Sequence, residues 1–298
     1  MTMKAIMPRL FLCLLLGGAA GLPSLAAAAR PLRVVALNTV LAEIAREVGG
    51  GQIELNGLLH PGVDPHTFDP SAADLRAMVD ADLVLASGLQ LESYLERLMT
   101  RIVPAGRVVV VGDALPSVLT LAGGEKDPHW WHSIDNVIFA IDLVRKELAR
   151  LRPANADAFA LNAQAYTQRL LTLKTWVAGE MATLPPARRH LVTSHDAFGY
   201  FARDHGFTVH AIAGLSTDGE PDARHLARLI DLLRREHIRA VFAESSVNSA
   251  LVANLLAETH VHLGGTLYAD GLGSANSDAA TYEAMVRHNV RTIVEALR

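Results

Sequence analysis

Four residues whose side chains bind metal ions stand at corresponding places in the two halves of the sequence. His66 and His129 lie in the first half, and His195 and Asp270 in the second, each just past a predicted strand or in the loop beyond it. Open α/β sheets bind their ligands outside the C-terminal ends of their strands, so two facing lobes would bring these residues together in a cleft. Three neutral imidazoles and one carboxylate form a good tetrahedral set for Zn²⁺. The pattern indicates one metal ion held by two ligands from each lobe.

Each of these residues also has an explanation without a metal. His66 alone is an ordinary polar residue of a stiff loop, and His129 lies in a Trp-rich loop where histidines pack against aromatic rings. The aspartate after His195 suits a helix N-cap, and Asp270 suits a turn. Their shared position at strand ends is what favours the metal site.

The predicted elements of the first half alternate between strand and helix. Apolar runs predict strands at 33–38, 53–58, 82–87 and 107–111, and helices at 41–48, after residue 70, at 91–102 and at 134–151. Strands that are apolar on both faces imply a parallel sheet covered on both sides. The helix after the proline-rich His66 loop begins either with Asp69 as N-cap and Pro70 in the first turn, or with Ser71 and Asp74 as a capping box.

A long helix is predicted between the two halves. Apolar residues recur every three or four positions from residue 159 to 184, between Pro153 and the pair Pro185 and Pro186. Such a helix is about 45 Å long and would join two lobes. Beyond it, strands are predicted at 190–194, 208–212, 240–243 and 262–268, and helices at 222–236, 248–258 and 280–297. The predicted fold is α/β, with two Rossmann-like lobes of parallel sheet, 30–152 and 186–298, joined by one backbone helix, 153–185.

Residues 1–29 are typical of a secretory signal peptide. Lys4 and Arg9 flank the start of an apolar run at 10–16, and small residues at 26–29 suit cleavage. No later stretch has the roughly 20 apolar residues of a spanning helix, so we expect a soluble periplasmic protein that begins near Arg30. The only cysteine, Cys13, lies within the signal. The mature chain therefore has no disulfide, and any metal must be held by His, Asp or Glu.

The charge balance excludes one class of partner. The chain has 27 basic and 31 acidic residues, and loss of the signal removes Lys4 and Arg9 but no acidic residue, which gives a net charge of −6. A chain this acidic is not expected to bind nucleic acid.

Five segments resemble one family, and they occur in the family's order: 61–68 (PGVDPHTF), 127–129 (DPH), 193–200 (TSHDAFGY), 242–245 (FAES) and 267–270 (LYAD). This is the family of cluster A-I solute-binding proteins, which feed zinc or manganese to ABC importers. The resemblance covers nearly the whole mature chain. It implies a binding protein without enzymatic activity that delivers one buried ion to a membrane permease with a separate ATPase subunit; no P-loop motif occurs here. We expect a monomer, with a periplasmic metallochaperone as a further candidate partner.

The resemblance also assigns roles to individual residues. His66, His129, His195 and Asp270 match the family's four metal ligands, and Glu244 matches a position beside the site. Histidine as the third ligand favours one Zn²⁺ per chain, since oxygen ligands suit Mn²⁺ better. The short segment 113–126, which lacks the histidine-rich loop of many zinc members, leaves Mn²⁺ and Fe²⁺ as alternatives. His132 stands where an apolar residue is expected, and could be an auxiliary ligand, a transient docking point or an aromatic-stacking residue.

Two other functions use the same features. A zinc-dependent hydrolase would take Glu244 as its general base, but such enzymes keep one open coordination position and often carry a His-Glu-x-x-His helix, which is missing here. A binding protein for a siderophore, haem or cobalamin would need a roomy apolar cleft rather than converging imidazoles. Both are less favoured than metal capture.

Overall fold

The structure is a computed structural model that describes residue 2 and residues 30–101, 103–121, 123–217, 223–246, 250–259 and 261–298. Apart from residue 2, the predicted signal peptide lies outside the described residues. Residues Pro31–Arg298 form one compact unit. In this described part of the chain, no helix combines the length and the apolar character needed to cross a bilayer.

The first half is built on a four-stranded parallel sheet. Its strands are β1 (Leu32–Ala36), β2 (Ile53–Gly57), β3 (Leu83–Ala86) and β4 (Val108–Val110), in the spatial order β2-β1-β3-β4. The inner strands β1 and β3 are almost wholly buried, as their continuous apolar sequences predict. The helices here are α1 (Thr39–Gly49), α2 (Ala72–Asp80), α3 (Leu95–Arg101) and the short α4 (Val111–Ala114).

Two long helices follow, α5 (Ile134–Leu151) and α6 (Ala156–Ala182), the second after a 3₁₀ turn at Pro153–Asn155. One face of α6 is buried at every third or fourth residue, at Phe159, Ala163, Tyr166, Leu170, Leu173, Val177 and Met181. The helix is about 40 Å long by its rise per residue. It packs against α1 and α5 of the first half and against the last helix, α10 (Tyr282–Leu297).

The second half repeats the parallel arrangement with two strand pairs. β5 (His190–Thr193) pairs with β6 (Thr208–Ala211), and β7 (Ala240–Glu244) pairs with β8 (His262–Leu267). The remaining helices are α7 (Gly199–His205), α8 (Ala223–Arg235) and α9 (Ala250–Glu258). The α/β class, the parallel pairing and the long helix confirm the predicted fold; the lobe boundaries at 152/153 and 185/186 stay predictions.

Several local predictions differ from the structure. Helix α7 was not predicted, because its seven residues are too few for a periodic pattern. It ends at Gly206, which takes the left-handed conformation. Helix α2 begins with Ser71 as N-cap and Asp74 in a reciprocal capping box. The capping-box alternative is therefore correct, and Asp69 as N-cap is wrong.

A buried carboxylate connects α6 to both halves. Glu43 of α1 accepts hydrogen bonds from the Tyr166 hydroxyl of α6 at 3.0 Å and from the Tyr282 backbone N–H of α10 at 2.8 Å. At the surface beside it, Arg169 of α6 pairs with Glu47 of α1 and Glu283 of α10. The long helix is thus bonded to the first and last helices of the fold at the same level.

A left-handed turn follows β3 and explains why α3 begins later than predicted. Gly88, Leu89 and Gln90 have φ angles of 76°, 54° and 69°, a conformation that costs non-glycine residues about 1 kcal/mol each. The buried Glu92 carboxylate accepts the backbone N–H groups of Ser87 at 2.7 Å and Gly88 at 2.9 Å. Burial raises the pKa of Glu92 to about 7, although these hydrogen bonds oppose the shift.

Glu92 should therefore make stability depend on pH. Its pKa is about 7 in the fold against 4.5 for an unperturbed glutamate, so the folded state binds the proton more tightly and loses stability as pH rises through this window. In Glu92→Gln, the decline in the free energy of unfolding between pH 4.5 and 7 should be smaller by on the order of 3 kcal/mol. Urea unfolding of the chelator-treated protein across this pH range measures that free energy.

The exposed Glu96→Gln on α3 is the matched control, and its pH dependence should follow the unchanged protein. Equal pH slopes for the Glu92 variant and the unchanged protein would contradict the assignment.

Candidate metal site

The four predicted ligands converge at one buried point. His66 lies in the loop after β2, His129 just before a 3₁₀ turn at Trp130–His132, His195 after β5, and Asp270 after β8. All four are buried, and their ligand atoms lie within 4.8 Å of one another. The ends of strands in both halves therefore meet as the sequence predicts, with two of the four side chains from each half.

The spacing of the four atoms suits a small divalent ion. His129 Nε2 lies 3.2 Å from Nε2 of both His66 and His195. Asp270 Oδ1 lies 3.2 Å from His195 Nε2 and 3.6 Å from Nε2 of His66 and of His129. Tetrahedral bonds of 2.0–2.1 Å place neighbouring ligand atoms about 3.3 Å apart. The four atoms could therefore hold one such ion without a large rearrangement.

Asp270 Oδ1 gives independent support for a cation. It is buried and has no hydrogen-bond partner within the described part of the chain. An unpartnered polar group costs free energy when it is removed from water, and a charged one costs more. A cation among the three imidazoles would remove that cost.

Carboxylates behind two of the imidazoles fix their orientation. His129 Nδ1 donates to Asp127 Oδ1 at 2.8 Å. His195 Nδ1 bonds to Glu244 Oε2, and the His195 backbone N–H donates to Glu244 Oε1 at 3.1 Å. A carboxylate at Nδ1 directs the Nε2 lone pair towards a metal and raises its basicity. Glu244 thus lies beside the site, against His195 and outside the set of four.

The sequence reasoning missed Asp127, although the chain carries a signal for it. The tripeptide Asp-Pro-His occurs at 64–66 and again at 127–129. In both copies the aspartate accepts the histidine's backbone N–H, Asp64 at 2.8 Å and Asp127 at 2.9 Å. The repeat therefore marks a local turn that presents each histidine, and in the second copy the same carboxylate also reaches the ring.

The pKa values of two of the imidazoles are shifted in opposite directions. Burial, with the neighbouring His195, holds the pKa of His129 well below its usual value. Burial acts the same way on His195, but Asp270 and Glu244 outweigh it and hold that pKa well above its usual value. His195 opposes the effect of burial on Asp270 and keeps its pKa well below the usual range. Without a metal, Asp270 and Glu244 therefore favour the protonated form of His195.

His132 contacts the ligand loops of the second half. Its Nε2 donates to the Ala269 carbonyl at 2.8 Å, beside Asp270, and its ring centroid lies 4.4 Å from that of Phe198. Trp131 Nε1 donates to the same carbonyl at 2.8 Å. Burial lowers the pKa of His132 to about 4, so the ring stays neutral. His132 lies outside the set of four and connects the His129 turn to the loop that carries Asp270.

A cavity of about 780 Å³ opens beside His66. Its lining mixes apolar residues such as Leu89 and Ile212 with charged residues such as Lys126 and Arg228. His129, His195 and Asp270 do not contribute to the lining. The centre formed by the four candidate ligands is therefore separate from this cavity and meets it only at His66.

Comparison with known proteins identifies relatives along nearly the whole chain. Residues 34–296 match the model of a family described as zinc-uptake complex component A, periplasmic. The chain belongs to this family. The zinc-binding protein TroA of Treponema pallidum is 36% identical over 91% of this chain and 90% of its own length. Its solved structure has a TM-score of 0.84 at 35% identity, covering 90% of this chain and 99% of that one. The manganese-binding lipoprotein MntA of Bacillus subtilis is 39% identical over 90% of each chain.

Membership of the zinc-uptake component A family confirms the resemblance and the class of function. The protein is a metal-binding component of an ABC importer rather than an enzyme. The relatives are named for zinc in one case and manganese in the other. Metal preference therefore depends on the chemistry of the individual site.

Binding of a divalent ion should release a proton from His195. The pKa of this residue is raised in the metal-free site, so its proton competes with the metal and affinity should fall as pH decreases. Calorimetry at pH 7 in two buffers of different ionisation enthalpy should show net release of protons when the ion binds.

In Glu244→Gln, which removes one of the two carboxylates that hold this proton, fewer protons should be released. Metal binding with no proton release in the unchanged protein would contradict the assignment.

His132 should slow metal release through its bond to Ala269. In His132→Leu, the Ala269 carbonyl loses one of the two side-chain hydrogen bonds that it accepts, and metal should dissociate about 10-fold faster, the scale of effect seen for groups that support metal ligands. The rate is measured by transfer of the metal to a coloured chelator.

His132→Gln, which keeps an N–H donor at a similar distance along the side chain, should restore most of the slow release. A leucine variant that releases metal at the original rate would show that the contact does not support the site.

Proposed function

We propose that this protein captures Zn²⁺ between its two halves and delivers it to the membrane permease of an ABC importer. His66, His129, His195 and Asp270 are the proposed ligands. The observation that carries the proposal is their convergence: the four ligand atoms are buried within 4.8 Å of one another, and Asp270 Oδ1 lies 3.2–3.6 Å from all three Nε2 atoms. Four protein ligands complete the shell that Zn²⁺ prefers.

Ligand chemistry supports zinc over manganese. Imidazole nitrogens suit Zn²⁺, whereas Mn²⁺ prefers an octahedral set rich in oxygen. Three of the four proposed ligands here are imidazoles, and two of these are hydrogen-bonded at Nδ1 to carboxylates that increase their basicity. Mn²⁺ or Fe²⁺ is the alternative cargo, since the Bacillus subtilis relative is named for manganese.

Delivery to a permease fits the architecture of the chain. We propose a periplasmic protein, exported by the signal peptide at 1–29, that works with a permease and a separate ATPase subunit. A single chain supplies all four ligands, which supports a monomer as the working unit. The proposed ion is cargo, bound and released without chemical change.

The geometry also argues against hydrolysis by a bound zinc. Both carboxylate oxygens of Glu244 are engaged by His195, one by its ring and one by its backbone. Glu244 is therefore not free to act as a general base on a metal-bound water. A closed set of four ligands leaves no coordination position for that water.

Removal of two ligands should abolish tight binding. Isothermal titration of the chelator-treated protein should give one Zn²⁺ per chain, with Zn²⁺ outcompeting Mn²⁺. In the double variant His66→Ala with His195→Ala, affinity should fall by at least about 100-fold, because one ligand is lost from each half.

The control is the double variant His190→Ala with His210→Ala, which removes a hydrogen-bonded histidine pair outside the site. It should bind zinc like the unchanged protein. Equal loss in both double variants, or no loss in the first, would contradict the proposed ligand set.

A further inference from the structure

The two carboxylate oxygens of Asp270 have different surroundings. Oδ1 faces the Nε2 atoms of all three histidines and has no hydrogen-bond partner in the described part of the chain. Oδ2 accepts a hydrogen bond from the Ser246 hydroxyl. Ser246 lies two residues after Glu244, just beyond the end of β7.

The backbone around Asp270 is held from both sides. The Ala269 carbonyl accepts hydrogen bonds from Trp131 and His132, and the Leu272 N–H donates to the Thr39 hydroxyl at 2.8 Å. A Cβ on Gly271 would lie 2.4 Å from that hydroxyl, so the backbone runs close against Thr39. With the backbone fixed, rotation of the carboxylate about its own side-chain bonds is the main freedom left to it, and the Ser246 bond restrains that rotation.

The number of oxygens that Asp270 presents decides the coordination number of a bound ion. With Oδ1 alone, the ion has three nitrogens and one oxygen, the four-coordinate arrangement that Zn²⁺ adopts in closed sites. With both oxygens, the number rises to five and the share of oxygen increases, which suits Mn²⁺ better.

We propose that Ser246 determines metal preference by holding Asp270 to a single oxygen ligand. This inference rests on the proposed function and identifies a residue that favours Zn²⁺ over Mn²⁺ without touching the ion. Ser246 acts through Asp270 and is therefore a positioning residue.

The test compares Ser246→Ala with two matched variants. Ser246→Thr keeps the hydroxyl, and Ser245→Ala removes a neighbouring exposed serine whose backbone N–H bonds to the Leu267 carbonyl. Competition titrations give the ratio of Zn²⁺ to Mn²⁺ affinity for each protein. In Ser246→Ala this ratio should fall about tenfold, the effect of losing one hydrogen bond to a charged group. The two matched variants should keep the original ratio.

A spectroscopic readout separates coordination from general loosening of the site. Co²⁺-loaded protein should show the intense visible bands of a four-coordinate ion, and these bands should weaken in Ser246→Ala as the coordination number rises. Thermal unfolding of the metal-free variants shows whether the fold is kept.

The outcomes distinguish this inference from the proposed function. An unchanged protein that binds neither metal would overturn both. Binding of zinc by the unchanged protein, together with an unchanged affinity ratio and cobalt spectrum in Ser246→Ala, would overturn the role of Ser246 alone. A lower ratio with weaker cobalt bands, restored in Ser246→Thr, would support it.

Discussion

The structure depends on the close approach of three imidazole nitrogens and one carboxylate oxygen away from water. His129 Nε2 lies 3.2 Å from two other ring nitrogens, and Asp270 Oδ1 has no hydrogen-bond partner among the described residues. Such a group is costly to bury unless a cation offsets the lost hydration. The carboxylates of Asp127 and Glu244 keep the rings pointed at the shared centre, so the arrangement is ready for an ion before it arrives.

The position of one half relative to the other then controls the geometry of the site, because each half contributes two of the four candidate ligands. Glu43 bonds α1 to both α6 and α10, and Arg169 repeats that connection at the surface. Nearer the site, Trp131 and His132 both bond to the carbonyl of Ala269. These contacts span the two halves at different distances from the candidate site, and together they restrict movement that would change the spacing of its four side chains.

The parts of the fold that sequence could predict are those with a local pattern. The buried face of α6 repeats every three or four residues, and His195 and Asp270 lie just beyond the ends of β5 and β8. The roles of Asp127 and His132 depend on the neighbours that folding brings near, and the only local sign for Asp127 was the repeated Asp-Pro-His. The left-handed turn at 88–90 lies beside the buried Glu92, which accepts hydrogen bonds from the backbone N–H groups of Ser87 and Gly88. No local sequence pattern predicts these two bonds.

Division of the four candidate ligands between two halves gives a carrier a way to release its ion. A set of four ligands in a rigid frame binds tightly but releases slowly, whereas separation of the halves leaves the ion with two ligands from either side. Affinity then falls steeply without any change in a ligand itself. His66 and His129 would stay on one half, and His195 and Asp270 on the other. The hydrogen bonds from Trp131 and His132 to the Ala269 carbonyl restrict such separation, and they would therefore favour retention of the ion until they are broken.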